Sequence, residues 1–216
     1  MSTSGTPVAR SSPAPPAPSA PPAPSRGLAW LLLVAGLVGL VASAALLIER
    51  IVLAGDPSYV PSCSFNPVLS CGSVMTSEQA ALLGFPNPVI GVAAFPVVVA
   101  TGAGLLAGAR YARWYWLGLL AGVTLAAVFV GWLVFQSLYR IGALCPYCMV
   151  VWAAVLPLSW YVARHCLESG VLGERMAESG FIRTLRAYSF VVPALVVILV
   201  AGLALARFWD YWVTLL

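Results

Sequence analysis

Charge is what this chain has least of. Only 8% of its residues are Asp, Glu, Lys or Arg, whereas 61% are hydrophobic and the mean hydropathy is +0.95. A soluble domain carries about a quarter of its residues charged, so a water-soluble fold is excluded and an all-α integral membrane protein is expected. Ionisable residues are also almost missing from the apolar stretches themselves, which argues against a substrate or proton path through them. No internal repeat is evident, against a transporter built from duplicated halves. There is a single histidine, His165, so a metal site would have to be built largely from cysteine.

What is present is long uncharged runs, at 27–48, 79–109, 114–139, 141–163 and 187–206. Each holds roughly the 20 apolar residues of a membrane span. The run at 79–109 is divided by Gly84-Phe85-Pro86-Asn87-Pro88, and its helix is expected to begin near Val89. Five transmembrane helices follow, with Pro96, Pro157 and Pro193 inside spans as kink sites. Residues 1–26, rich in Pro, Ala and Ser, are expected to be a disordered tail, and the first helix an uncleaved anchor.

The basic residues set an orientation. With the tail, the 110–113 turn and the 164–187 loop in the cytoplasm, eight of the eleven arginines lie there, and Arg50, Arg140 and Arg207 lie outside. The net charge of +4 then reports topology, with no nucleic-acid partner implied. The expected site is the inner (plasma) membrane, multi-pass, N-terminus cytoplasmic.

Four of the five cysteines form two pairs on the outward, oxidising side: Cys63 with Cys71, and Cys145 with Cys148. Cys145-Pro146-Tyr147-Cys148 opens the fourth helix, where Pro suits the first helical position and Cys145 reads as the cap. Unpaired amides and the helix dipole favour a thiolate there. Cys63 and Cys71 lie in the longest outward loop, 49–88, made irregular by Pro57, Pro61, Asn66, Pro67 and Gly72. A dithiol on a mobile loop beside a second dithiol suits electron relay by thiol–disulfide exchange. The other reading is two static structural disulfides in a non-enzymatic membrane protein. A four-cysteine zinc site is disfavoured, because seven residues separate Cys63 from Cys71 and His165 lies on the opposite side, so no metal is expected. Cys166 falls on the reducing side as a free thiol.

Cys-x7-Cys in the first outer loop and Cys-x2-Cys at the start of the fourth helix resemble the vitamin K epoxide reductase family in its bacterial branch, over roughly residues 28–163. The segment from Ser77 through Leu83-Gly84-Phe85-Pro86 to Gly91 is similar to that family's loop-to-second-helix stretch. The resemblance implies a four-helix bundle around a quinone site (27–163), followed by a 164–187 loop and a fifth transmembrane helix at 188–210. It implies that Cys63 exchanges with a thioredoxin-fold oxidase, that Cys71 reaches Cys145, and that Cys148 faces a quinone, menaquinone or ubiquinone. Such an enzyme supports disulfide formation in secreted proteins; a quinone or epoxide reductase running on the same cysteines is the alternative. Ser77 matches a hydroxyl residue near the quinone, with helix capping as its other role, and Asn87 a polar amide that bonds the quinone carbonyl, with a plain turn as the other. Phe95, Trp132, Phe135 and Trp152 are candidates for an aromatic wall. No thioredoxin-like stretch follows the fifth helix, so the donor is expected to be a separate protein.

Overall fold

The uncharged runs form helices, because a backbone in hydrocarbon has to satisfy its own polar groups. The computed structural model describes residues 24–173, 184 and 188–214. Helix α1 spans Arg26–Gly55 and is capped by Ser25, whose Oγ accepts from the Leu28 amide at 3.2 Å. A short α2 (Cys71–Met75) and a 3₁₀ turn (Glu78–Ala81) precede α3 (Pro88–Leu106). Helix α4 (Arg113–Gln136) runs on into a π turn, Ser137–Ile141, which Gly142 ends in the left-handed region at φ 70°. Helix α5 covers Pro146–Glu168, α6 Val191–Arg207 and a single turn α7 Trp209–Val213.

The bundle is transmembrane in character. Helices α1, α3, α4 with its π turn, and α5, of 30, 19, 29 and 23 residues, are each long and apolar enough to cross a bilayer. The fifth apolar helix, α6, has 17 residues, at the lower limit for a span. Some boundaries move. Helix α1 continues to Gly55, so the loop expected from residue 49 begins at Asp56, and α5 continues to Glu168, into the segment expected as loop. The expected disordered tail lies almost wholly outside the described residues, as does most of the 174–187 stretch.

Close packing of α1 on α3 is built on glycine, as membrane helices require where backbones approach. A Cβ on Gly102 would meet the Leu33 amide nitrogen at 2.5 Å and the Ala29 carbonyl at 2.9 Å, and one on Gly39 would collide with the Phe95 ring. At one end Leu28, Leu32, Trp116, Leu119 and Val162 close the bundle. Toward the other end α4 leans on α5 instead of on α1 and α3. That divergence leaves a cavity of about 750 Å³ among the four helices, covered by α2 and the 3₁₀ turn.

Candidate functional site

The loop between α1 and α3 is shaped residue by residue. Asp56 Oδ1 accepts from the Ser58 amide at 2.9 Å, and Asn66 Oδ1 accepts from the amides of Val68 and Leu69 at 3.0 and 2.7 Å, folding the chain at Pro67. Glu49, six residues before the end of α1, reaches across the loop: its carboxylate accepts from Tyr59 Oη at 2.8 Å and from Ser62 Oγ and the Ser62 amide. Ser70 caps α2 through the Ser73 amide, which sets Cys71 at its first position.

Two backbone hydrogen bonds then bring distant parts of the chain together. The Leu144 amide donates to the Val68 carbonyl at 2.7 Å and the Ser70 amide to the Leu144 carbonyl at 2.9 Å, a parallel bridge between Leu69 and Leu144. The residue after each bridged segment is a cysteine. Cys63 and Cys71 form a disulfide, and Cys71 Sγ lies 3.0 Å from Cys145 Sγ. The sulfurs of Cys63, Cys71 and Cys145 all lie within 4.8 Å of one another, beside Leu46 and Met75. A soft cation would need thiolates here, and the disulfide leaves Cys145 as the one thiol of the three.

Cys145 is the N-cap of α5, as the Pro at the first helical position foretells, and its Sγ accepts from the Cys148 amide at 3.4 Å. Its thiol is held below the ordinary value chiefly by the hydrogen bond from the Cys148 side chain. Burial opposes the shift, and the amides of Cys148 and Tyr147 support it. Cys145 and Cys148 are both thiols, and both line the cavity. Cys63, Cys71 and Cys145 are buried, while Val60 and Phe65 of the same loop are exposed. Cys166, buried against the Trp116 carbonyl, is a thiol apart from this cluster.

Ser77, Asn87, Phe95 and Trp152 line the cavity. Ser77 stands at the capping position of the 3₁₀ turn but makes no side-chain cap; its hydroxyl donates to the Val74 carbonyl at 2.7 Å. Asn87 ties down the turn: Nδ2 donates to the Gln79 carbonyl at 2.7 Å and Oδ1 accepts from the Leu82 amide at 3.2 Å. Trp132 and Phe135 are not on the wall. The cavity face of α4 runs through Gly122, Ala126, Phe129, Leu133 and Ser137 at helical spacing, and both residues fall off that stripe. Trp132 stacks on Phe129 at 5.9 Å between ring centroids, and Phe135, half exposed, rests on Tyr139. Phe129, Trp114 and Tyr115 are wall aromatics that the sequence reading missed. No periodicity could have found them, because a helix apolar all round carries no phase.

The cavity is of the size a ring ligand needs, and its wall is almost wholly apolar with a few hydroxyl and amide groups, which fits a quinone. A model of the vitamin K epoxide reductase family matches residues 30–163, more than half of the chain. No curated protein matches it.

Proposed function

We propose that this chain, which belongs to the vitamin K epoxide reductase family, carries electron pairs from a thioredoxin-fold dithiol protein through Cys63 and Cys71, then Cys145 and Cys148, to a quinone in the four-helix cavity. Membership makes it a membrane oxidoreductase; the donor, the direction and the acceptor are our reading. The observation that carries it is the 3.0 Å approach of Cys71 to Cys145, with Cys148 on the cavity wall.

The partner's thiolate attacks Cys63, the Cys63–Cys71 bond breaks, and the partner's second thiol releases the mixed disulfide. The partner leaves oxidised, and Cys63 and Cys71 become thiols. When Cys145 and Cys148 are disulfide-bonded, Cys71 thiolate attacks Cys145 and Cys148 leaves as thiolate. Cys63 then attacks Cys71 and frees Cys145, which leaves the loop pair oxidised and the helix pair reduced, the pairing described above. A quinone, when bound, supplies the terminal two-electron, two-proton acceptor. The Cys145–Cys148 dithiol gives up that pair and closes again to a disulfide. A thiol with a lowered pKa leaves more readily, so the lowered Cys145 favours its release when Cys63 attacks Cys71.

Access to Cys63 requires the loop to lift, because the disulfide is buried. We place the cysteine end on the extracytoplasmic side of the plasma membrane, with Arg50, Arg140 and Arg207, and the remaining arginines toward the cytoplasm. The 27–163 segment is then the catalytic unit, and the donor is a separate protein. Static disulfides fit less well, since Cys145 and Cys148 are thiols at a cavity wall. The test is anaerobic quinol formation by the purified chain with a reduced thioredoxin-fold donor. The native chain is expected to make quinol and Cys148→Ser none; quinol from Cys148→Ser, or none from the native chain with benzo- and naphthoquinones, would overturn the relay.

A further inference from the structure

Hydroxyls inside apolar helices ordinarily donate to the carbonyl one turn back, because nothing else in hydrocarbon accepts. Thr101, Thr124 and Ser159 do so, to Val97, Leu120 and Val155 at 2.6, 2.7 and 2.7 Å. Two serines do not. Ser43 on α1 and Ser137 at the head of the π turn are 2% and 3% exposed, and both line the cavity. Among the described residues neither side chain has a hydrogen-bond partner, yet neither hydroxyl oxygen is sealed within protein, so each opens on the cavity.

The cavity's other polar groups are spent or wet. Ser77 and Asn87 donate to backbone carbonyls, Ser159 donates to Val123 and Val155, and Tyr115 Oη pairs with Thr101. Arg50 and Gln79 are half-buried. The dry donors left to the cavity are therefore the hydroxyls of Ser43, on α1, and Ser137, at the head of the π turn, together with the indole N–H of Trp152. Ser43 lies one helical turn from Leu46, which belongs to the cluster that holds Cys145, and Ser137 precedes Leu138, which packs in the cluster bearing Cys148.

We infer that Ser43 and Ser137 are the ring-binding hydroxyls of this cavity, one on each wall, each donating to a carbonyl oxygen of a para-dione beside Cys148. This rests on the quinone reading proposed above and adds which residues select the ring. A hydroxyl serves both redox forms, because it donates to a carbonyl and accepts from the hydroxyl that replaces it. Buried donors with no protein acceptor disfavour the empty cavity, and a ring with two opposed acceptors answers both. Gly91 keeps the first of them free: a Cβ there would strike Ser43 Oγ.

The experiment uses the full chain in detergent, with methyl-substituted para-naphthoquinone and the ring-matched monoketone as probes. Binding is read by tryptophan fluorescence quenching, and turnover by KM and kcat. Ser43→Ala and Ser137→Ala are each expected to weaken quinone binding roughly three- to tenfold, the double variant more, with KM carrying the change. The native preference for dione over monoketone should vanish in the double variant, and Gly91→Ala should copy Ser43→Ala. Thr124→Ala, which removes a self-satisfied hydroxyl, should change nothing. If the native chain reduces the quinone and the double variant matches it in affinity and KM, this inference falls and the quinone reading stands. If the native chain neither binds nor reduces any quinone, both fall.

Discussion

At the scale of the residue, Cys145 is the position where most forces meet. It caps a helix, accepts from the Cys148 amide, and stands 3.0 Å from the sulfur it is proposed to trade with. Its thiol is lowered, first by the Cys148 side chain. Thiolate forms above that lowered value and is lost as pH falls through it, so Cys145 should keep its thiolate to a lower pH than an ordinary cysteine does. Replacing Cys148 by Ala removes the leading cause and moves the titration toward the ordinary value near 8.5. The expected outcome is an alkaline displacement of the ultraviolet thiolate signal of Cys145 in Cys148→Ala, with the disulfide Cys63–Cys71 intact. An unmoved titration would mean that the backbone amides of the cap set the thiol alone.

At the scale of the element, the loop is held by a latch. Glu49 gathers Tyr59 and Ser62 and so fixes the residue next to Cys63. A neutral amide in place of the carboxylate offers one acceptor where two are used, so Glu49→Gln should free that end of the loop. Reduction of Cys63–Cys71 by a small soluble thiol is expected to accelerate, roughly three- to tenfold for hydrogen bonds to an ion at the surface. Stopped-flow measurement of disulfide reduction checks it, and an unchanged rate would assign the opening to another contact. The helices, the cap at Cys145 and the pairing of Cys63 with Cys71 were legible in the sequence because each follows from local rules: apolar run length, Pro at the first helical turn, cysteine spacing. The ties that hold the loop's cysteines were not, because Glu49 with Ser62 and Leu69 with Leu144 join residues whose pairing has no local signature. Trp132 and Phe135 were misplaced for the related reason that an all-apolar helix hides which face it turns inward.

At the scale of the whole molecule, α6 and α7 lie outside the matched segment yet brace the cysteine end. Arg207 Nε donates to the Leu138 carbonyl of the π turn at 3.0 Å. Phe208, 7% exposed, is buried with Val68, Leu138, Leu144 and Trp152. It thus supports both strands of the short bridge that carries Cys71 and Cys145. Phe208→Ala should cost about 3 kcal/mol of stability by emptying that site. Thermal unfolding in detergent would show it as a lowered melting temperature, together with slower transfer between the cysteine pairs. A variant as stable as the native chain would show that the fifth helix merely adheres to the bundle.

The bridge between Leu69 and Leu144 also sets a rule for how this loop can vary in length. Residues added between Asp56 and Pro61 would disturb the Glu49 latch on Tyr59 but leave Val68, Ser70 and Leu144, and so the two bridging hydrogen bonds, in register. A single residue added between Leu69 and Cys71 would turn the cysteine away from Cys145, since successive side chains on an extended segment point to opposite sides. An insertion before Pro61 thus loosens the latch alone, while Leu69, Ser70 and Cys71 work as a ruler with one permitted length.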